Sequence, residues 1–372
     1  MQRDRVRLPV MPITRFRRFR RGPALVVALV TLLAIGVLAS MAVSYHGPID
    51  AIVSTPGSGD LATYSQIVDR MRHGEPYYAA AHKELVAGHY GTHSVFNWRL
   101  PTLSWAWSAL PSNAWAKGAL LALALVSIAT SFLWFNATAG LAAASLVVPA
   151  LLFNLTSILP NGAELLADVV AGVFILLSVA AYGARWRPAG FFAALIALAL
   201  KELAAPYVVV CVFMAWRQRR YGELIAWAAG LALFACYFLW HFHMVHAHVV
   251  ATDTAYRDGW LQFGGVPFVL ATAGFNGMLL ARPLWITAVL LPLCVLGLAA
   301  WDGHAGDRTR FTVAAYLVVY LFVGKSFDVY WGALYTPLMM LGLPFVPGAI
   351  RDLAAALRQN GSDPETTAPA SP

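Results

Sequence analysis

The chain has 372 residues, 59% of them hydrophobic and only 12% charged, with a mean hydropathy of +0.64. A soluble chain carries roughly 25% charged residues, and a water-soluble fold cannot hide this much apolar surface, so lipid must solvate most of it. The net charge of +8 is not a nucleic-acid signature, because no basic helix or aromatic–basic interleaving is present. The three cysteines, Cys211, Cys236 and Cys294, fall inside apolar runs and offer neither a disulfide framework nor metal-ligand spacing.

In chain order, eight arginines occupy the first 21 residues, directly before the first apolar run. Arginines in that position are retained on the cytoplasmic side, where they also meet anionic lipid. The run from Ala24 to Val43 exceeds the 7–15 residues of a signal-peptide core, so it reads as an uncleaved first span, about 23–43. A mostly polar stretch, 44–113, follows. Further spans are expected at about 114–136, 140–158, 163–182, 189–202, 203–216, 222–244, 283–300, 311–324 and 329–347. The split within ALALKELAAPYVVV is set near Pro206. Residues 267–281 are too short and glycine-broken to cross, and read as an interfacial or re-entrant helix. The tail, 351–372, is expected to be disordered. No internal repeat is visible.

The expected fold class is therefore an all-α, polytopic bundle of about ten spans with a long first extracytoplasmic loop. With both termini inside, the cytoplasmic side holds 17 of the 26 Lys and Arg residues, including the run RQRR at 217–220, as the positive-inside rule requires.

In this arrangement the polar residues gather on the outer side. Glu164 and Asp168 open the fourth span, Lys201 and Glu202 close the fifth, and Lys325 and Asp328 lie between the ninth and tenth. Charges near a bilayer are costly and mark function when they converge. The segment WHFHMVHAH sets His241 with His248 on one helical face and His243 with His246 on another, which suits an interfacial belt better than one metal site.

In the first loop, GSGDLATYSQIVDRMRHGEPYY predicts a helix starting near Asp60 and ending at Gly74. Asp60, Tyr64, Ile67 and Met71 share a face, and Asp69 lies on the other side. A carboxylate at such a junction serves either as a helix cap or as a general base toward a hydroxyl. FNWRLPTLSWAWSALP, carrying Arg99, suits the membrane surface.

These residues resemble the GT-C superfamily of integral-membrane glycosyltransferases, nearest to the polyprenol-phosphate-mannose-dependent alpha-1,2-mannosyltransferase type. The likeness rests on Asp60 after the first span, Tyr64 four residues on, Gly74 and then Tyr77. It also rests on FNWRLPTL, on LPNGAELLADVVAGV, on ALALKELAAPYVVVCVFMAWRQRRYGELIAW and on FDVYWGALYTPLMML, in that order. Residues 161–163 read NGA where the family has Gly-Gln, and the paired acidic dipeptide of protein mannosyltransferases is absent.

The resemblance implies inverting transfer of a sugar from a polyprenyl-phosphate donor to a hydroxyl of a glycan, glycolipid or protein, at the outer face of a bacterial inner membrane. Asp60 would be the base, with Tyr64, Arg99, Lys201, Glu164 and Asp168 binding substrates. No metal and no nucleotide cofactor is implied, and the sequence has no Gly-rich phosphate loop. A transporter or flippase shares the composition but ordinarily shows internal repeats and midplane charges.

Overall fold

The computed structural model describes residues 14–44, 59–253, 262–280, 282–325 and 328–358, and every regular element among them is helical. Helix is the economical answer for apolar chain in lipid, because each backbone amide finds its acceptor within the same segment. α1 (Arg21–Ser44) is followed by α2 (Asp60–Arg72), α3 (Tyr77–Ala87) and α4 (Thr102–Ser108). The main bundle continues with α5 (Asn113–Ala139), α6 (Leu141–Leu155), α7 (Ala167–Gly183), α8 (Arg187–Leu200), α9 (Ala205–Arg217) and α10 (Tyr221–His248). α11 (Gly265–Ala273), α12 (Leu284–Ala300), α13 (His304–Phe322), α14 (Thr336–Met340) and α15 (Val346–Arg358) complete it.

Five segments are long and apolar enough to cross a membrane: Arg21–Val43, Asn113–Ala139, Leu141–Ile158, Tyr221–His248 and Thr336–Arg358. That is half the number expected from hydropathy. The other expected spans are shorter: α7 and α12 have 17 residues, α8 has 14 and α9 has 13. α13 carries Asp307, Arg308 and Arg310 in its first two turns. The last expected span is a relay, a 3-10 turn over Val329–Leu334 followed by α14, a second 3-10 turn and α15. α1 and α10 turn Leu33, Ile225, Leu233 and Leu239 outward, each well over half exposed, a surface suited to lipid.

Several local expectations hold. The chain leaves the helix at Lys201, whose backbone is extended, and resumes helix at Ala205 with Pro206 in its first turn. α11 has only nine residues, too few to cross. The tail departs from expectation, since residues 351–358 continue α15, burying Leu353 and Ala356 with Phe16, Ala24 and Leu296. Asp352 there accepts from the Thr14 amide and hydroxyl at 3.1 and 2.9 Å. Residues 359–372 lie outside the described set, as do 45–58.

α2, α3 and the 3-10 turn at Val95–Asn97 form a cap with its own core of Ile67, Tyr77, Tyr78, Leu85 and Trp98, joined to α10 through Val245, while α4 packs Leu103 into the main core. Beneath it, α7 meets the 329–334 turn closely enough that a Cβ on Gly172 would lie 2.1 Å from the Ala333 carbonyl oxygen. Glycine there lets the turn seat on the start of α7. Four helices thereby connect two polar ends. α7 carries Asp168 in its first turn and ends at Gly183; α8 starts at Arg187 and ends just before Lys201; α9 follows the Glu202 turn and ends at Arg217; α13 carries Arg308 near its start and ends at Phe322, six residues before Asp328.

Candidate functional site

Asp60 is the first residue of α2; the N-cap is Gly59, with φ +81 and no side-chain capping bond. The carboxylate is therefore not spent on the helix end. Its Oδ1 accepts from the Tyr90 hydroxyl at 2.6 Å and its Oδ2 from the Tyr330 hydroxyl at 3.0 Å. Arg99 Nη2 stands 3.8 Å from the same Oδ2.

Arg99 has φ +59, a left-handed conformation that a non-glycine residue adopts at a cost of about 1–3 kcal/mol. Its surroundings over-determine it. The guanidinium donates to the Tyr64 hydroxyl at 2.8 Å and the Tyr330 hydroxyl at 2.9 Å, and the Arg99 carbonyl accepts from Tyr77 at 3.1 Å. Tyr64, expected among the substrate-binding residues, holds Arg99 by this hydrogen bond and with its ring 5.5 Å from the guanidinium. Burial pushes the Tyr64 phenol well above its ordinary range, so it stays a neutral acceptor.

Deeper in, Lys201 is 1% exposed, with Nζ at 3.1 Å from Glu202 Oε1 and 3.7 Å from Asp168 Oδ1. On a continuous helix Glu202 would point about 100° away. The extended backbone at Lys201 removes that constraint and brings the two side chains together. Trp331 lies with its ring 5.9 Å from the ammonium. Asp328 Oδ1 lies 3.2 Å from the same Tyr330 hydroxyl, in competition with Asp60, while its buried Oδ2 has no hydrogen-bond partner among the described residues. Burial pushes the Asp328 carboxyl up to about 6, against the pull of Arg99 and Lys201.

Glu164 has partners of its own. Its carboxylate is taken by Lys117 at 3.4 Å and by the Gly162 amide, and its carbonyl accepts from Trp107. Lys117 also donates to the Ile158 carbonyl, so Glu164 braces the junction of α5 with the 163–165 turn. Asp69 is exposed and paired with Arg72 at 2.7 Å. Among the histidines, His241 is buried against the Tyr78 hydroxyl at 2.8 Å, and His246 and His248 bond carbonyls of their own helix. Among the described residues no group of three or more His, Cys, Asp and Glu is placed to hold a metal ion.

The cluster thus unites Asp60, Tyr64, Arg99, Asp168 and Lys201 from the expected set and adds Tyr90, Glu202, Asp328 and Tyr330. Chemically it is a partly exposed carboxylate beside one partly buried and one fully buried cation. The Asp60 side chain is 29% exposed, against 14% for Arg99 and 2% for Lys201. Comparison with protein-family models, curated proteins and solved structures gave no match.

Proposed function

We propose that the chain is an integral-membrane glycosyltransferase that moves a sugar from a polyprenyl-phosphate donor to an acceptor hydroxyl, with inversion. Asp60 carries this reading: it is the most accessible carboxylate of the cluster, oriented by two phenols, with a guanidinium 3.8 Å away. The acceptor oxygen attacks the anomeric carbon while its proton passes to Asp60. The bond from that carbon to the phosphate oxygen breaks on the opposite face, and its electron pair leaves with the polyprenyl phosphate. Arg99 and Lys201 stabilise the charge that develops there. An apolar groove of about 410 Å³ between α9 and α10, lined by Val209, Val212, Phe213, Leu231 and Phe234, includes Ala205, three residues after Glu202, and suits the lipid tail.

Ten spans with both termini cytoplasmic in a bacterial inner membrane fit the same reading. Arg15 and Arg18 join Arg217 and Arg310 around Asp302 and Asp307, at the end of the bundle opposite Asp60. That clustering supports a cytoplasmic assignment for the arginine end and an outer one for Asp60. Incubating detergent-extracted full-length protein with labelled polyprenyl-phosphate mannose and glucose, plus membrane acceptors, tests the function. Transfer from a lipid-linked donor supports it. Failure of both donors, with carriage of either across a reconstituted vesicle, would instead make the protein a transporter.

A further inference from the structure

The end of the bundle opposite Asp60 holds a cavity of about 740 Å³ between the ends of α7, α8, α9 and α13. We infer that this cavity is a second ligand site, built for a phosphate oxyanion. The observation behind it is Arg308, which lines the cavity and is 4% exposed. Its guanidinium donates to Cys211 Sγ at 2.9 Å and lies 3.8 Å over the Tyr182 ring, yet it makes no ion pair among the described residues.

The acids nearby are already engaged. Glu223 is held by Arg220 at 2.6 Å and by the Tyr182 hydroxyl at 3.0 Å. Asp307, adjacent in sequence, is held by Arg217 and Arg310 at 2.9 Å each and by Arg15 at 3.1 Å. Asp302, the acid that lines the cavity, is drawn to Arg18 at 3.3 Å. A buried guanidinium without a counter-charge is unfavourable, and an anion entering the cavity supplies the missing charge.

The rim has the same sign. Arg185 and Arg187 are exposed, line the cavity and make no ion pair among the described residues. Arg185 sits at φ +66, where glycine usually ends a helix. Guanidinium forks match phosphate oxygens in pairs. Trp134, Trp301 and Phe345 stack in series at 5.2 and 4.7 Å along the lining, an apolar surface for whatever carries the phosphate. The oxyanion is either the headgroup of an anionic lipid or a free phosphate ion.

Binding to the full-length protein separates these sources without reading transfer at Asp60. Heat released on adding inorganic phosphate to detergent-solubilised protein, with chloride as reference, identifies the free ion. Thermal stabilisation only in phosphatidylcholine nanodiscs containing phosphatidic acid identifies the headgroup. In either arm Arg308→Met should weaken binding by about tenfold or more, whereas Lys83→Ala, at an exposed cap lysine outside both sites, should leave it unchanged. If Arg308→Met does not fold, exposed Arg187→Ala carries the test and should weaken binding by about threefold or more. Absence of binding in both arms overturns the inference, as does binding that folded Arg308→Met and Arg187→Ala proteins retain in full.

Discussion

The Tyr330 hydroxyl bridges Arg99 and Asp60, accepting from Arg99 Nη2 at 2.9 Å and facing Asp60 Oδ2 at 3.0 Å. The same oxygen is 3.2 Å from Asp328 Oδ1. One phenol proton cannot serve both carboxylates at once, so the protonation of Asp328 and the orientation of Asp60 are linked.

Tyr330→Phe should therefore lower turnover more than donor affinity, by about tenfold, the value of roughly one net hydrogen bond to a charged group. Steady-state kinetics with a lipid-linked donor measure it. An unchanged kcat would show that Tyr90 alone orients Asp60.

A pH effect follows from Asp328, which is neutral below about 6 and charged above it. A carboxylate here repels a donor phosphate placed at Arg99 and Lys201. The donor KM should thus fall as pH is lowered through about 6, and Asp328→Asn should flatten that dependence at the low value. A KM profile identical in the variant would remove Asp328 from the donor site.

Lys201→Met should raise the donor KM by about tenfold or more, as expected for a lost charge-assisted contact. The substitution leaves Asp168 and Glu202 without their cation, a change that costs about 3–5 kcal/mol when a buried pair is broken. The double variant Lys201→Met/Asp168→Asn relieves most of that cost. If the double variant is folded and keeps the native donor KM, the ammonium is structural only.

Accessibility tests the sidedness. In a Cys236→Ser background, an impermeant thiol reagent should label His93→Cys in intact cells and Ala189→Cys only after permeabilisation. Both parent residues are exposed, on the cap and at the arginine end respectively. Labelling in the reverse order would invert the bundle.

Much of this architecture is legible in the chain. The apolar runs, the helix beginning at Asp60, the break after Leu200 and the short helix near residues 267–281 each follow from local composition and from Gly or Pro placement. The partners of Asp60 are not local. Tyr90 and Tyr330 lie 30 and 270 residues away, and no spacing rule connects them to it. The Lys117 partner of Glu164 is not legible either: spacing sets Glu164 one helical turn from Asp168, whereas Gly162 at φ +93 starts a separate 3-10 turn that faces Lys117. Helices such as α8 fall short of the usual crossing length because they end early at buried charges, here at Lys201.

The account stands or falls on Asp60 as the base. Removing a general base commonly costs 10²–10⁴ in rate, so with the donor found active, Asp60→Asn should lose about that factor in transfer while expressing normally and still binding donor. Asp69→Asn, on an exposed residue paired only with Arg72 among the described contacts, should transfer at the native rate. An Asp60→Asn protein as active as the native one would contradict the account.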